Sequence, residues 1–498
     1  MSFAQIMEFL RPMLSIGWLP AAVACSAAVA GLVADMFDAE KTGVAIVAGG
    51  LAIAALVSFG AAIIPVSAST TLITTTFGLV MTGGAFAGLA CIVYLTAFLS
   101  CGTGLFSLRA GSRASAAALI GAGAAAGQVL LGASDILVLF IALELLALIA
   151  YALVASGGND RSDEAAARYF VQGSVATGLA VLGVAVLVGL SAGASGYVEL
   201  GTSLASMVPG AALLGGMLLV SALAFKLGAF PFHSWVPDAY ETAPAGTAAF
   251  LAASVKAAAI GGFTLLLVRL MTIPAFLPLV MAVRIIAAAS IVFGNLAALK
   301  QTSVGRMLGY SAIAQVGYVL VGAGVSPIST ESVAAVFLFA ATYAMGAATA
   351  FVALEFFATG EPTWDGSIGG LAGIASKHPA VSGALTVALL SMTGIPLTAG
   401  FWGKFFVFYG AAQNGLLWLV ITGLVGSAIS FAYYGRVIRS MYIDVSATGN
   451  EVAAEQGSDV APRVRAWPSL IGAAVVLFAG IAPLIWGLSL VYALFAFR

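Results

Sequence analysis

Charge is what this sequence has least of. Asp, Glu, Lys and Arg make up 8% of its 498 residues, where an ordinary soluble domain carries about 25%. Hydrophobic residues make up 62%, and the mean hydropathy is +1.11. That balance excludes a soluble globular domain. It predicts an all-α polytopic membrane protein, a single integral membrane domain over 1–498. Cysteine is scarce as well. Cys25, Cys91 and Cys101 all fall in apolar segments, without metal-ligand spacing or a disulfide framework. No metal cluster, Walker motif, haem motif or dinucleotide fingerprint is present, so no metal, no bound cofactor and no catalytic residue are expected in this chain. The formal net charge of −1 says nothing about partners.

What is there is a series of apolar runs separated by charged or turn-forming clusters. They predict about fourteen transmembrane spans, centred near 24, 54, 90, 123, 145, 179, 218, 257, 287, 313, 344, 395, 428 and 481. The first run is followed by a charged loop and no small-residue cleavage site, so it reads as a retained span. Positive charges test the count, with each loop numbered by the span before it. Odd loops hold Lys41, Arg109, Arg113, Arg161, Arg168, Lys300, Arg306, Lys377, Arg436, Arg439, Arg463 and Arg465, and even loops hold only Arg269. Arg11 and Arg498 are terminal. The bias predicts that odd loops face the cytoplasm and both termini face away from it. The odd loop after the seventh span has no positive charge and carries Asp238 and Glu241.

Two spans are irregular. The seventh contains "KLGAFPFH" and the twelfth "TGIPLTAGFWGKFF", each placing Gly and Pro beside a lysine. From Pro209 to Val236 the only formal charge is Lys226. That run would be roughly 42 Å long as one helix, too long for a single straight crossing of about 30 Å. The two spans lie an odd number of spans apart and so cross in opposite directions. Paired broken helices predict two inverted five-helix repeats, spans 4–8 over residues 114–270 and spans 9–13 over 275–440. Three helices over 1–113 precede them, and a loop with a last helix follows over 441–498.

Four ionisable groups stand deep within spans. Glu144 lies in "LFIALELLALIAYAL", Lys226 in the seventh span and Lys256 in "FLAASVKAAAIGGF". Lys404 is the only formal charge between Lys377 and Arg436. Each such group costs about 2.5–3.5 kcal/mol at a helix centre. A lysine stem of about 6 Å is too short to carry Lys256 to an interface. Burial disfavours the charged form of a lysine and a nearby carboxylate favours it, so moving one against the other loads or unloads a proton. The pattern predicts a hydrated proton-relay axis in which Glu144 and Lys226 pair. His233, after the seventh-span break, is a candidate relay. Arg284 is assigned to the membrane interface, and His378 is given no role.

These residues also resemble a family. "AFKLGAFPFHSWVPDAYETAPAGTAAFLAASVKAAA", "GNLAALKQTSVGRMLGYSAIAQVGYVLVG" and "GIPLTAGFWGKFFVF" look like the signatures of the antiporter-like proton-pumping subunits of respiratory complex I. The resemblance runs from about residue 114 to 440. Gly403–Lys404, the lysine standing where an M-type subunit is expected to carry glutamate, and the absence of a long lateral helix make it closest to subunit N. It implies proton-translocation roles for Glu144, Lys226, Lys256 and Lys404. Gln315 stands where members often have histidine, so a relay there would run through water. The eleventh span, "YAMGAATAF", lacks an expected asparagine.

The resemblance further implies a non-redox subunit in a bacterial inner membrane, without activity alone. NADH, flavin, iron–sulfur clusters and quinone would belong to partner subunits. Its partners would be lipid and other membrane-arm subunits, including antiporter-like ones, with no nucleic acid. The alternatives are a subunit of a multisubunit sodium/proton antiporter, or of a related hydrogenase or F420-dependent complex.

Overall fold

The computed structural model describes residues 19–37, 39–63, 84–103, 105, 107–108, 112–204, 209–271, 276–325, 330–361, 363–444 and 465–486. The first six spans are α1 (Leu19–Asp35), α2 (Glu40–Ile63), α3 (Gly84–Gly102), α4 (Arg113–Gly132), α5 (Ile136–Ala155) and α6 (Asp160–Leu190). The seventh is broken into α7a (Pro209–Leu227) and α7b (Trp235–Thr242). The eighth, α8, runs through Ala245–Phe250, a π-helical turn Leu251–Val255 and Lys256–Leu270. Then come α9 (Leu277–Leu299), α10 (Val304–Ala323), α11 (Thr330–Gly360), the broken pair α12a (Pro379–Thr393) and α12b (Ala399–Gln413), α13 (Leu417–Tyr442) and α14 (Trp467–Trp486).

Among the described residues, 11 helices are long and apolar enough to cross a membrane, and three shorter apolar helices join them, Leu19–Asp35, Ala87–Gly102 and Pro379–Thr393. The expected span centres fall on these helices, except the centre near 395. That one lies in the gap between α12a and α12b, as a broken helix requires.

The loops sort by parity. Asp135, in the fourth loop, caps α5 by accepting the N–H groups of Leu137 and Val138. It also accepts the hydroxyl of Ser195 and forms an isolated bridge with Gly196, both in the sixth loop. At the other end Ser303 bridges Ser367, joining the ninth and eleventh loops. Ser107, Asn159, Thr242, Ser303 and Asp365, from odd loops three to eleven, line one vestibule with Arg161, Arg168 and Arg306. Odd loops and their cations therefore share one end of the bundle. Arg11, Arg109, Arg463 and Arg498 lie outside the described residues, as do both termini.

The core sits on two helices. The apolar window of α11 is 100% buried and that of α8 is 94% buried, while those of α6 and α13 are 33% buried. The first two are central, and the last two turn most of their surface outward. Their outward residues, such as Val171, Val175 and Leu182 on α6 and Ile421, Leu424 and Val425 on α13, are apolar. Lipid tails accept such a surface, so it needs no polar rim.

Both broken helices stop in the same way. Gly228 and Gly394 follow the first half with φ of 72° and 93°. Ala229 N–H then donates back to Ala224 C=O, and Ile395 N–H to Leu390 C=O. This is the Schellman end, in which a left-handed residue lets two later N–H groups reach back to the last turn. An alanine in that conformation costs roughly 1–2 kcal/mol. A Cβ on Gly228 would also come within 2.3 Å of Val236 Cγ2, whereas one on Gly394 would meet the lysine stem of Lys404 at 3.0 Å. Both Gly228→Ala and Gly394→Ala should lower the thermal midpoint of the assembled protein, Gly228→Ala by more. A differential scanning measurement on purified membranes or nanodiscs checks the order. Midpoints at the wild-type value would contradict the strain argument.

Candidate functional site: a buried lysine axis

Glu144 projects from α5 and Lys226 from the last turn of α7a. Their Oε1 and Nζ lie 3.3 Å apart, an ion pair by distance whose angles fall short of a hydrogen bond. Glu144 Oε2 accepts the hydroxyl of Thr177 on α6 at 2.7 Å. Lys226 Nζ also donates to the hydroxyl of Tyr151 at 3.4 Å. The lysine side chain is 6% exposed and the glutamate 20% exposed. The glutamate therefore stands at the lateral rim of the bundle, and the lysine carries the pair inward.

Lys256 follows immediately on the π-helical turn of α8. Such turns are rare and occur often at functional sites. The side chain is 1% exposed. Among the described residues its Nζ has no hydrogen-bond partner. It stands 5.4 Å from the ring centroid of Tyr240, in cation–π range. An ammonium has three donors. With only a ring face beside it, Nζ depends on water to satisfy them.

Lys404, on α12b, reaches back across the break. Its Nζ donates to Thr393 C=O, the end of α12a, at 2.9 Å and to Ser427 Oγ on α13 at 3.1 Å. It lies 4.3 Å from the ring centroid of Tyr318. The Tyr318 hydroxyl accepts Asn295 Nδ2 at 3.1 Å, and Asn295 Oδ1 accepts the Tyr433 hydroxyl at 3.1 Å. Gln315 donates to Met392 C=O at 2.8 Å, and the Tyr434 hydroxyl lies 3.7 Å from the Met392 sulfur. Tyr434 makes a very short contact with Ser311. The second half of the molecule thus holds a buried network of hydroxyls and amides leading to Lys404.

The two lysines at the breaks share one physical logic. A helix C-terminus carries partial negative charge and unsatisfied carbonyls, and a cation there is stabilised. Lys226 occupies the last turn of α7a. Lys404 comes from the far side of its break to the last carbonyl of α12a.

The elements bearing these groups touch in sequence: α5 packs on α6, α6 on α7a, α7a on α8, α8 on α11, and α11 on α12b. The ring of His233 lies in the α7 break, centred 5.3 Å from that of Phe230 and 4.4 Å from that of Phe293. Arg284 Nε donates at 2.8 Å to Gly324 C=O, at the even-loop end of α10, which suits the interface assignment. His378 pairs with Glu361 at 3.1 Å on the odd-loop side.

Sequence reasoning missed Glu355. It is 0% exposed on α11 and accepts the backbone N–H of Ser107 and of Gly246, each at 2.9 Å. Its position in "FVALEFF", with apolar residues on both sides, was the available signal. The Asn295–Tyr318–Tyr433 network was missed too, because uncharged residues scattered over three spans leave no mark in a charge count.

Interrupted helices at membrane depth, each with a cation at its break, are the architecture of ion-translocating membrane proteins. Residues 133–430 match the family described as NADH:quinone oxidoreductase/Mrp antiporter, TM. The chain is 38% identical over 328 residues to NADH-quinone oxidoreductase subunit N of Paramagnetospirillum magneticum, covering 64% of this chain and 66% of that one. It is 36% identical over 372 residues to NADH-quinone oxidoreductase subunit N 2 of Acidobacterium capsulatum, covering 71% and 72%. Among solved structures, a chain of respiratory complex I from Thermus thermophilus with bound aureothin superposes with a TM-score of 0.74 at 26% identity, covering 94% of this chain and 98% of that one. A chain of the Mrp complex from Dietzia sp. DQ12-45-1b has the same fold, with a TM-score of 0.81 at 18% identity and 98% coverage of both. The chain belongs to the NADH:quinone oxidoreductase/Mrp antiporter family and is a multi-pass membrane protein.

Removing one member of a buried ion pair leaves the other uncompensated, at a cost of about 3–5 kcal/mol. Lys226→Met and Glu144→Gln should therefore each destabilise the assembled protein, since each leaves an unpaired ionisable group away from water. The double variant should be more stable than Glu144→Gln alone. A double-mutant cycle on thermal midpoints reads this; additive effects would mean the two groups do not interact.

Proposed function

We propose that the chain is an N-type proton-translocating subunit in the membrane arm of a NADH-quinone oxidoreductase. In this reading Glu144, Lys226, Lys256 and Lys404 carry the proton path, and Gln315 and His233 border it. The observation that carries the reading is Lys256. A buried amine with no acceptor among the described residues is expensive in a membrane unless it is used. Glu144 acts on Lys226 at the rim, Lys256 holds a proton at the centre, and Lys404 holds one at the far break. Displacing Glu144 from Lys226 weakens the lysine's hold on its proton, which then has reason to move inward. Gln315 holds no proton at ordinary pH, so transfer past it runs through water and the hydroxyls of Tyr434 and Ser311.

The subunit would have no redox step of its own. NADH, flavin, iron–sulfur clusters and quinone would sit in partner subunits, and the chain would pack beside other antiporter-like subunits in a bacterial inner membrane. The positive bias supports a cytoplasmic odd-loop end. A sodium/proton antiporter subunit is the second reading, supported by the likeness in fold to the Mrp chain. The higher identity to subunit N favours the first.

The test is proton uptake by proteoliposomes containing the whole complex, normalised to electrons transferred. Lys256→Met keeps the stem and removes the proton site. It should assemble and pump well below wild type, at least several-fold. Lys256→Arg should not restore full pumping, because a guanidinium does not release its proton. Wild-type stoichiometry and rate in Lys256→Met would remove Lys256 from the path. The chain purified alone should show no donor-to-quinone electron transfer, and appreciable turnover would overturn the non-redox role.

A further inference from the structure

At the odd-loop end lies a vestibule of about 520 Å³ whose wall carries both signs of charge, from Arg161, Glu164, Arg168, Asp238, Glu241 and Arg306. Besides Trp364, two of its lining residues are aromatic, Tyr240 on α7b and Phe351 on α11. Their rings meet edge to face with centroids 5.5 Å apart. Each residue is only 2% exposed, so together they close the inner side of the vestibule. The same Tyr240 ring faces Lys256 Nζ at 5.4 Å. Its hydroxyl lies 3.5 Å from Leu251 C=O, in the π-helical turn that precedes Lys256. One side chain therefore stands between a charged cavity and a buried amine that has no acceptor among the described residues.

The helix bearing Tyr240 is short and is a separate segment from the helix before it. α7b is cut off from α7a by the break that begins just after Lys226 and Leu227. It packs on its neighbours through Trp235, stacked on Tyr169 of α6 at 4.0 Å, and through backbone close to Gly305 and Gly309 of α10, and ion pairs add to this at the odd-loop end. Arg306 of α10 contacts Asp238 at 2.6 Å and Glu241 at 2.9 Å, and Arg168 of α6 contacts Asp238 at 3.5 Å. Lys226 just before the break, and Arg306 through Asp238 and Glu241, therefore adjoin the segment that carries Tyr240.

We propose that the rings of Tyr240 and Phe351 form a gate between this vestibule and Lys256, opened by displacement of α7b. This rests on the proton-translocation reading above. With the gate open, a hydronium ion in the vestibule gives one proton to the neutral amine of Lys256. One O–H bond breaks, one N–H bond forms, and a water molecule remains. With the gate shut, the amine is cut off from that side. This alternation keeps the path from short-circuiting.

The test reads access and does not depend on turnover. In a background with Cys25, Cys91 and Cys101 replaced by alanine, Lys256→Cys is placed in the assembled complex in membrane vesicles. It is probed from the odd-loop side with a small, membrane-impermeant cationic thiosulfonate. Ala245→Cys, in the vestibule wall, should react rapidly in every background. Lys256→Cys should react slowly while Tyr240 is present. Tyr240→Ala should accelerate it at least tenfold, whereas Tyr240→Phe, which keeps the ring, should leave it within about twofold. Phe351→Ala should also accelerate it, which keeps the gate testable if Tyr240→Ala fails to assemble. Equal rates at Lys256→Cys with and without the Tyr240 ring, or rates as fast as Ala245→Cys in the unmodified background, would overturn the gate. Normal pumping in Lys256→Met alongside gated labelling would instead overturn the function and leave the gate standing.

Discussion

A helix that stops within a hydrocarbon core leaves its last carbonyls in a medium that cannot hydrogen-bond them. α7a and α12a both stop there, and the rest of the molecule is arranged around meeting that demand. Each uses a left-handed glycine to turn two later N–H groups back onto the final turn. Each then adds a partner from elsewhere: Trp235 Nε1 donates to Phe225 C=O at 2.9 Å, and Lys404 Nζ to Thr393 C=O at 2.9 Å. The breaks therefore lie where cations are favoured by the helix ends.

Central placement of α8 and α11 follows from the same demand. Ser290 of α9 donates nothing to lipid and accepts Phe230 N–H inside the α7 break at 2.9 Å. Glu355 of α11 gathers two backbone N–H groups from the odd-loop end, one of them at the start of α8. Polar groups on the interior helices thus serve backbone exposed by irregular segments. The outer helices α6 and α13 meet an apolar surrounding with apolar side chains. Glu144 is the exception at the rim, where a partly exposed carboxylate faces both its lysine and the outside.

Much of the architecture was legible in the order of residues. Long apolar runs gave the spans, because only a helix of that length satisfies its own backbone in lipid. Gly and Pro beside Lys226 and Lys404 marked the breaks, since those residues end helices by geometry that does not depend on neighbours. The parity of Arg161, Arg168 and Arg306 marked one end. Less was visible at the site. Lys256 was conspicuous because a lone charge in an apolar run has no cheap explanation. Glu355 lies in the last two turns of α11, where a charge draws little notice, and Asn295, Tyr318, Tyr433 and Tyr434 carry none.

The sequence by itself determined which residues cross the membrane, where two helices must stop and which charges must be buried. These are local consequences of backbone hydrogen bonding, side-chain polarity and glycine's freedom, readable within a few turns of chain. Tertiary structure decided which groups meet. That Lys226 faces Glu144 across α5 and α7a, that Lys404 reaches Thr393 and Tyr318, and that Tyr240 stands between a vestibule and Lys256 all depend on how separate helices rotate against one another. That rotation is set by packing between faces distant in sequence, and no short stretch of sequence contains it.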